Sequence, residues 1–170
     1  MIRKHLLDLL RDCRAAAAAE MAFVAPLLLI LMFGATELGN YFLNEHKLAK
    51  AVRDGARYAA RQSFTQYPDC ASVSTALRDN TRNVVMYGYL GNTTPVLTPN
   101  IAAADIAVGT SCSATVNSQT MKGLYSAHTG GAQIVTVTAN VTYLPVLGAF
   151  GFTGAGFHLN ASSQAAVTGL

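Results

Sequence analysis

The sequence has no tryptophan and few charged residues, and both shortages limit the classes of protein to which it can belong. Only 12% of the residues are Asp, Glu, Lys or Arg, about half the charged fraction of a typical soluble domain. The 12 basic residues concentrate before and just after one long apolar run, and beyond Tyr67 they are Arg78, Arg82 and Lys122. A broad basic surface with interleaved aromatic residues is therefore missing, and we expect no nucleic-acid binding.

The sequence also lacks the motifs that carry catalysis or bind cofactors. It contains no GxSxG segment, no phosphate-binding loop of the GxxxxGK type and no CxxC pair. The histidines lack the i, i+4 spacing of a helical metal site, and they are His5, His46, His128 and His158. The acidic residues beyond the apolar run form no close pair suited to acid–base chemistry. We expect no enzymatic activity, no cofactor and no bound metal.

One hydrophobic segment is long enough to cross a membrane. From Ala15 to Thr36 the only charged residue is Glu20. A helix of that length spans roughly 33 Å, and the hydrocarbon core of a bilayer is about 30 Å thick. A cleaved secretory signal is the alternative, with Gly34 and Thr36 as the small residues before its cut. That pair is a weak cleavage signal, so we expect a retained anchor.

The cysteines indicate which side of the membrane holds the body of the protein. Cys13 precedes the anchor, whereas Cys70 and Cys112 lie far beyond it. The two distal cysteines can form one disulfide, which requires an oxidising compartment, or can remain as two buried thiols. Basic residues flank both ends of the anchor and do not decide its orientation. On the disulfide interpretation, the N-terminus lies in the cytoplasm and the body lies outside it.

Composition and periodicity divide the chain into four segments. Residues 1–14 form a basic leader, residues 15–43 a membrane helix, residues 44–66 an amphipathic extension of that helix, and residues 67–170 an extracytoplasmic domain. We expect one continuous helix to about Gln62. Its outer half has apolar residues at helical spacing, namely Leu48, Val52, Ala56 and Ala59. A basic stripe follows another face, and either solvent or lipid headgroups can cover it.

The C-terminal segment is predicted to combine a second helix with a small sheet. Helical spacing places that helix between Cys70 and Tyr89, with Ser72 or Ser74 as its cap. The two prolines of Gly91–Asn100 indicate a loop or a strand edge.

Beyond Asn100 the spacing of apolar residues changes to alternation, which predicts strands. The predicted strands are residues 106–112, 135–143 and 157–162. The fold class is therefore α+β, with the antiparallel sheet packed on the outer half of the first helix because little else can cover it.

Glu20 is the one charge beside a run of apolar residues, where an unpaired carboxylate is costly. In the simplest interpretation it lies at the cytoplasmic interface and reaches water or a headgroup amine. Arg14 lies six residues earlier on a poorly matched helical face, so we expect no pair within the helix. The other interpretation is that its partner belongs to another molecule.

Three segments of the chain resemble a family of pilus proteins. EMAFVAPLL, from Glu20 to Leu28, is similar to the conserved start of type IV pilins and pseudopilins. AVRDGARYAA, from Ala51 to Ala60, is similar to a second recurrent segment, and LPVL at 144–147 follows a late strand as in the family. The closest resemblance is to the TadE/TadG-like family of the tight-adherence (Tad, or Flp) pilus systems.

The resemblance implies proteolytic processing and assembly into a filament. A prepilin peptidase would cut between Ala15 and Ala16, which makes Glu20 the fifth residue of the mature chain. Such peptidases usually meet glycine before the cut, and here the small residue is Ala15. The new α-amino group would pair with the glutamate of a neighbouring subunit, since each charge is costly alone in a low dielectric. Pro26 removes a backbone donor and so allows a bend within the membrane.

The implied function is that of a minor pseudopilin or assembly component of a Tad-type (type IVc) pilus, supporting pilus biogenesis and surface adhesion. The implied partners are other pilins or pseudopilins through the N-terminal helix, the Tad inner-membrane machinery, a prepilin peptidase and the lipid bilayer. The implied location is the inner membrane, with a single pass and a periplasmic C-terminal domain. More than 100 residues follow the helix, so a major pilin subunit is a poorer match. The alternative is a single-pass anchored binding module with no filament role.

Overall fold

The computed structural model describes residues 13–91, 100–116, 119–120, 122–126, 130–151, 154 and 156–169. Residues 1–12 of the predicted leader, residues 92–99 of the predicted loop, His5 and His128 lie outside the described residues. The chain separates into two compact units, Met1–Asn40 and Tyr41–Leu170.

The first helix, α1, runs without interruption from Cys13 to Ala60 and contributes residues to both units. In the first unit, every large apolar side chain from Met21 to Phe33 is exposed. Among the residues that the structure describes, α1 is the one helix that is long and apolar enough to cross a membrane. The chain therefore has one candidate membrane span near its N-terminus, consistent with a single-pass membrane protein.

In the second unit, α1 is amphipathic. The predicted apolar positions are fully buried, and they are Leu48, Val52, Ala56 and Ala59. The helix ends at Ala60, slightly before the predicted Gln62, and a short 3₁₀ turn at Phe64–Gln66 follows it. This half of α1 thus shares one apolar core with the rest of the second unit.

The second helix, α2, spans Thr75–Tyr87 and is shorter than the predicted Cys70–Tyr89. Its start is set by Ser74, whose hydroxyl accepts a hydrogen bond from the backbone N–H of Leu77 at 3.1 Å. Its end is set by Gly88, which has a φ of +83° and donates its N–H to a carbonyl of the last turn. Caps therefore set both boundaries. Of the two predicted N-caps, Ser72 and Ser74, the helix uses Ser74.

The main sheet has three antiparallel strands in the order β1-β4-β5. These strands are β1 (Ile106–Ser113), β4 (Ala132–Thr142) and β5 (His158–Ala166). A separate two-stranded ladder, which the alternation did not predict, joins β2 (Thr115–Val116) to β3 (Gln119–Thr120). The α+β fold class is confirmed.

The central strand β4 provides most of the buried face of the sheet. Its inward side chains and the tyrosine that follows are buried, and they are Val135, Val137, Ala139, Val141 and Tyr143. They join Leu48 and Val52 of α1 and Val85 of α2 in one cluster. The opposite side of β4 carries small polar side chains from Thr136 to Thr142.

Candidate assembly segment

Glu20 lies at the start of the exposed apolar part of α1. Ala17, Ala18 and Ala19 before it are exposed, and Met21 after it is 59% exposed. Within the part of the chain that the structure describes, the carboxylate of Glu20 makes no ion pair and no hydrogen bond. The carboxylate is therefore available to a group on another molecule.

The rest of this apolar part of α1 satisfies its own polar groups and leaves room for a neighbour. The hydroxyl of Thr36 donates a hydrogen bond to the carbonyl oxygen of Met32 at 2.9 Å, so it needs no water. At Gly34 and Gly39 an added Cβ would meet no atom within 4 Å. The helix continues through Pro26, which has no N–H to donate to the preceding turn. The bend at Pro26 stays a prediction.

Tyr41 fixes the first turn of α1 in the second unit to the sheet. Its hydroxyl donates a hydrogen bond to the carbonyl oxygen of His158 at 3.1 Å. Its ring meets the ring of Tyr143 edge to face, with 5.2 Å between centroids. This role of Tyr41 was not predicted, because its local signal is an aromatic side chain shortly after the apolar run.

The small residues of AVRDGARYAA let α1 pack closely against the body. Ala51, Gly55 and Ala56 are buried, and Gly55 lies directly against the side chain of Val85 in α2. A Cβ added at Gly55 would overlap Cγ2 of Val85. The segment that carries the second part of the family resemblance is therefore a packing surface within the chain.

Two hydrogen bonds hold the C-terminal end of α1. The hydroxyl of Tyr67 donates to the carbonyl oxygen of Ala59 at 2.6 Å, and the N–H of Thr168 donates to that of Ala60 at 2.8 Å. The carbonyl oxygen of Ala59 also accepts the N–H of Gln62 at 3.0 Å, whereas that of Ala60 has no partner within the helix and would otherwise need water. Burial raises the pKa of Tyr67, because the phenolate form would lose its hydration.

The apolar run, Glu20 and the packing surface all lie in one stretch of α1, and that stretch corresponds to a known family. Residues 15–57 match the model of a family described as TadE-like protein. This TadE-like segment begins at the predicted cleavage site and ends in the buried half of α1. The match is consistent with a TadE/TadG-like protein. Comparisons with curated proteins and with solved structures find no match.

A basic stripe begins within the TadE-like segment and extends to the end of α1. Its residues are Lys50, Asp54, Arg57 and Arg61, of which the three basic ones are exposed and Asp54 is half-buried. None of their side chains makes an ion pair or hydrogen bond within the described residues. Solvent and lipid headgroups remain the two interpretations of this face.

Beyond the TadE-like segment, a disulfide joins Cys70 and Cys112, whose Cα atoms lie 5.2 Å apart. It connects the turn before α2 to the end of β1. The side-chain amide of Gln133 donates a hydrogen bond to the carbonyl oxygen of Asp69 beside it, at 2.9 Å. Of the two interpretations of these cysteines, the structure therefore has the bonded one.

The carboxylate of Asp69 stabilises the same turn. A hydrogen bond from the hydroxyl of Ser72, and then one from the N–H of Ala71, lowers the pKa of Asp69. The carboxylate is fully exposed, so its role is to orient the turn that carries Cys70.

Proposed function

We propose that this protein is a minor pseudopilin or assembly component of a Tad-type pilus. It is anchored in the inner membrane by α1, with the Tyr41–Leu170 unit in the periplasm. The observation that carries the proposal is that the family match and the exposed Glu20 lie on the same helix. The TadE-like match covers the same helix that presents an exposed, unpaired Glu20 at the head of the candidate membrane span.

The physical basis of assembly is the cost of leaving Glu20 alone next to hydrocarbon. Cleavage between Ala15 and Ala16 creates an α-amino group a few residues from Glu20. In a single chain, the α-amino group and Glu20 both lie within a few residues of the new N-terminus. A neighbouring helix that is shifted along its axis can bring its own Glu20 next to the α-amino group of the first chain. Each charge alone has a high free-energy cost in a low dielectric, and this cost falls when the two form a hydrogen-bonded pair. The pair therefore sets the axial position of one subunit against the next.

Apolar packing then holds the helices together. The side chains from Met21 to Phe33 are exposed and available to neighbours or lipid. Gly34 and Gly39 have open space where a Cβ would lie, so another helix can approach closely there.

This role is structural, and we propose no catalysis and no cofactor. The proposed partners are other pilins or pseudopilins, the Tad inner-membrane machinery, a prepilin peptidase and the bilayer. Pilus biogenesis and surface adhesion are the processes that such a subunit supports.

The test is to replace Glu20 and measure piliation and membrane insertion separately. Glu20→Ala should abolish or strongly reduce pili seen by electron microscopy, while the protein stays in membranes washed with carbonate. Glu20→Gln, which keeps the shape without the charge, should behave in the same way.

A matched control keeps the composition and moves the charge by one position. The double variant Ala19→Glu, Glu20→Ala turns the carboxylate about 100° around the helix axis. It should insert normally and still fail to assemble. Normal piliation by Glu20→Ala would contradict the assembly role and would favour the anchored binding module.

A further inference from the structure

Tyr41 brings together the first turn of α1 in the second unit and the segment that connects β4 to β5. Its ring meets the rings of Phe42 and Tyr143 edge to face, with centroid distances of 6.0 and 5.2 Å. The N–H of Tyr143 donates a hydrogen bond to the carbonyl oxygen of Phe157 at 2.9 Å. Phe42 and both ends of the β4–β5 connection therefore lie at one end of the second unit.

The β4–β5 connection folds back on itself at Gly154. An added Cβ at Gly154 would overlap Cδ of Pro145 and the carbonyl oxygen of Tyr143. The N–H of Phe157 donates a hydrogen bond to the carbonyl oxygen of Gly154 at 3.1 Å. These contacts hold the start and the end of the connection close to each other.

Large apolar side chains at this end of the unit are exposed. Between 53% and 63% of each is accessible, and we call them the Phe157 patch: Phe42, Leu43, Leu144, Val146 and Phe157. All of them belong to the second unit, and residues 143–157 contain no Asp, Glu, Lys or Arg. A cluster of exposed apolar side chains of this kind marks a surface that contacts another protein or a membrane.

The position of the patch along α1 favours the bilayer. A helix needs about 20 residues to cross a hydrocarbon core of about 30 Å. Counted from Met21, that length ends at Asn40, and the one charge within it is Glu37 in its last turn. Phe42 and Leu43 follow in the same uninterrupted helix, where hydrocarbon gives way to headgroups. Aromatic and apolar side chains are stable at that boundary.

Basic side chains follow at the depth where headgroup phosphates lie. Lys47 comes four residues after Leu43, and Lys50 eight residues after Phe42, so each lies on the same helix face as the apolar residue before it. They are exposed and lie about 6 and 12 Å farther along the axis. Apolar residues followed by cations are the order expected for a surface that rests on anionic phospholipids.

We propose that the second unit rests on the outer surface of the bilayer through the Phe157 patch, with Lys47 and Lys50 beside anionic headgroups. The β4–β5 connection is then a membrane contact in addition to α1, and it limits the rotation of the body about the helix axis. This inference rests on the anchoring part of the proposed function and does not need the filament role.

The lack of tryptophan permits a direct test, because a single introduced tryptophan reports its own surroundings. The full chain with Phe157→Trp is reconstituted at low density in liposomes of phosphatidylcholine and phosphatidylglycerol. Part of the sample contains lipids brominated near the headgroup end of their acyl chains. The tryptophan should emit at short wavelength and lose most of its fluorescence to the brominated lipids. Short-wavelength emission without quenching would indicate that a protein covers the patch, and would overturn the proposal.

Leu124→Trp is the matched control, because Leu124 is 53% exposed in the same unit. The hydroxyl of the adjacent Tyr125 bonds to the carbonyl oxygen of Val167, directly after the end of β5. About 30 Å of strand separates that end from Phe157. The control should emit as a tryptophan in water and should not be quenched. Equal quenching of the two variants would show contact without orientation and would overturn the proposal.

Two changes added to Phe157→Trp test what holds the body on the bilayer. Val146→Asp places a charge in the patch and should remove most of the quenching, with an unchanged melting temperature because Val146 is exposed. Lys47→Glu together with Lys50→Glu should reduce quenching in liposomes that contain phosphatidylglycerol and have little effect in phosphatidylcholine alone. Quenching that persists in the folded Val146→Asp variant would contradict docking through the patch.

Flotation of the same liposomes separates failure of the anchor from failure of the docking. A chain that does not float with the lipid would contradict anchoring by α1, and the docking with it. A chain that floats while Phe157→Trp emits like Leu124→Trp would overturn the docking alone.

Discussion

Gly55 sets the distance between α1 and α2, because it has no side chain where Val85 packs. Nothing local in the sequence marks this role. Glycine in the interior of a helix normally costs about 1 kcal/mol relative to alanine. The chain accepts that cost since the close approach buries Val85 completely.

Gly55→Ala should therefore destabilise the second unit although alanine is the better helix former. We expect a net loss of about 1–3 kcal/mol in the free energy of unfolding, from overpacking against Val85. Urea denaturation of the detergent-solubilised chain measures it. Gly39→Ala, in the same helix with open space around the new Cβ, should cost nothing. Adding Val85→Ala to Gly55→Ala should recover part of the loss, and independent effects of the two changes would contradict the contact.

Tyr67 gives the second unit a stability that depends on alkaline pH. Its pKa is raised in the folded state, so its contribution is complete below the unfolded value of about 10 and is lost as pH rises above that value. Tyr67→Phe should cost about 1 kcal/mol at pH 7, through loss of the bond to Ala59. The difference from the native protein should shrink above pH 10, as shown by unfolding free energies measured from pH 8 to 11. Tyr89→Phe, at a 60% exposed position, should leave the profile unchanged.

At the scale of elements, the types of structure could be predicted and several boundaries could not. Alternation over 135–143 identified β4 because the pattern reflects which residues reach the core. β5 extends to Ala166 through a sequence with weak strand propensity, because its pairing with β4 supplies the hydrogen bonds. α2 starts at Thr75 because Ser74 caps it, although helical spacing of apolar residues extends further toward Cys70.

The disulfide connects two of these elements and should contribute strongly to stability. It closes a loop with a sequence separation of 42 residues, for which chain entropy gives about 4 kcal/mol. Replacing Cys70 and Cys112 together with serine should lower the free energy of unfolding by that order, as measured by denaturation. Cys13→Ser, outside the loop, is the control and should have no effect. If the double serine variant were as stable as the native protein, the disulfide would make no contribution to stability.

At the scale of the whole molecule, some residues of the candidate site can be identified from the sequence, whereas others acquire their role only through contacts in the folded chain. Glu20 and the apolar run could be identified because a charge beside hydrocarbon is a local anomaly. Tyr41 and Gly55 could not, because their roles depend on Tyr143 and Val85, which are distant in sequence. Residues 15–57 thus combine the exposed apolar run, for which we propose contacts with other molecules, with a surface that packs on the chain's own body.

Processing of the N-terminus can be followed with the chain's own cysteines, because Cys13 lies before the predicted cut and the other two are bonded to each other. Protein cut between Ala15 and Ala16 should have no free thiol after denaturation, and two after reduction. Uncut protein should have one free thiol after denaturation and three after reduction. Thiol titration with intact mass spectrometry of membrane-extracted protein distinguishes them.

Ala15→Arg is the matched control, because a large charged residue before the cut should block the peptidase and restore the Cys13 thiol. In that uncut variant the thiol also reports the side of the membrane. A membrane-impermeant maleimide added to spheroplasts should reach Cys13 only after the inner membrane is opened, if the N-terminus lies in the cytoplasm as we propose. Native protein that retains Met1 and a free Cys13 would exclude processing, and with it the α-amino partner proposed for Glu20. The anchored fold would be unaffected, since α1 contains the whole candidate span with or without the leader.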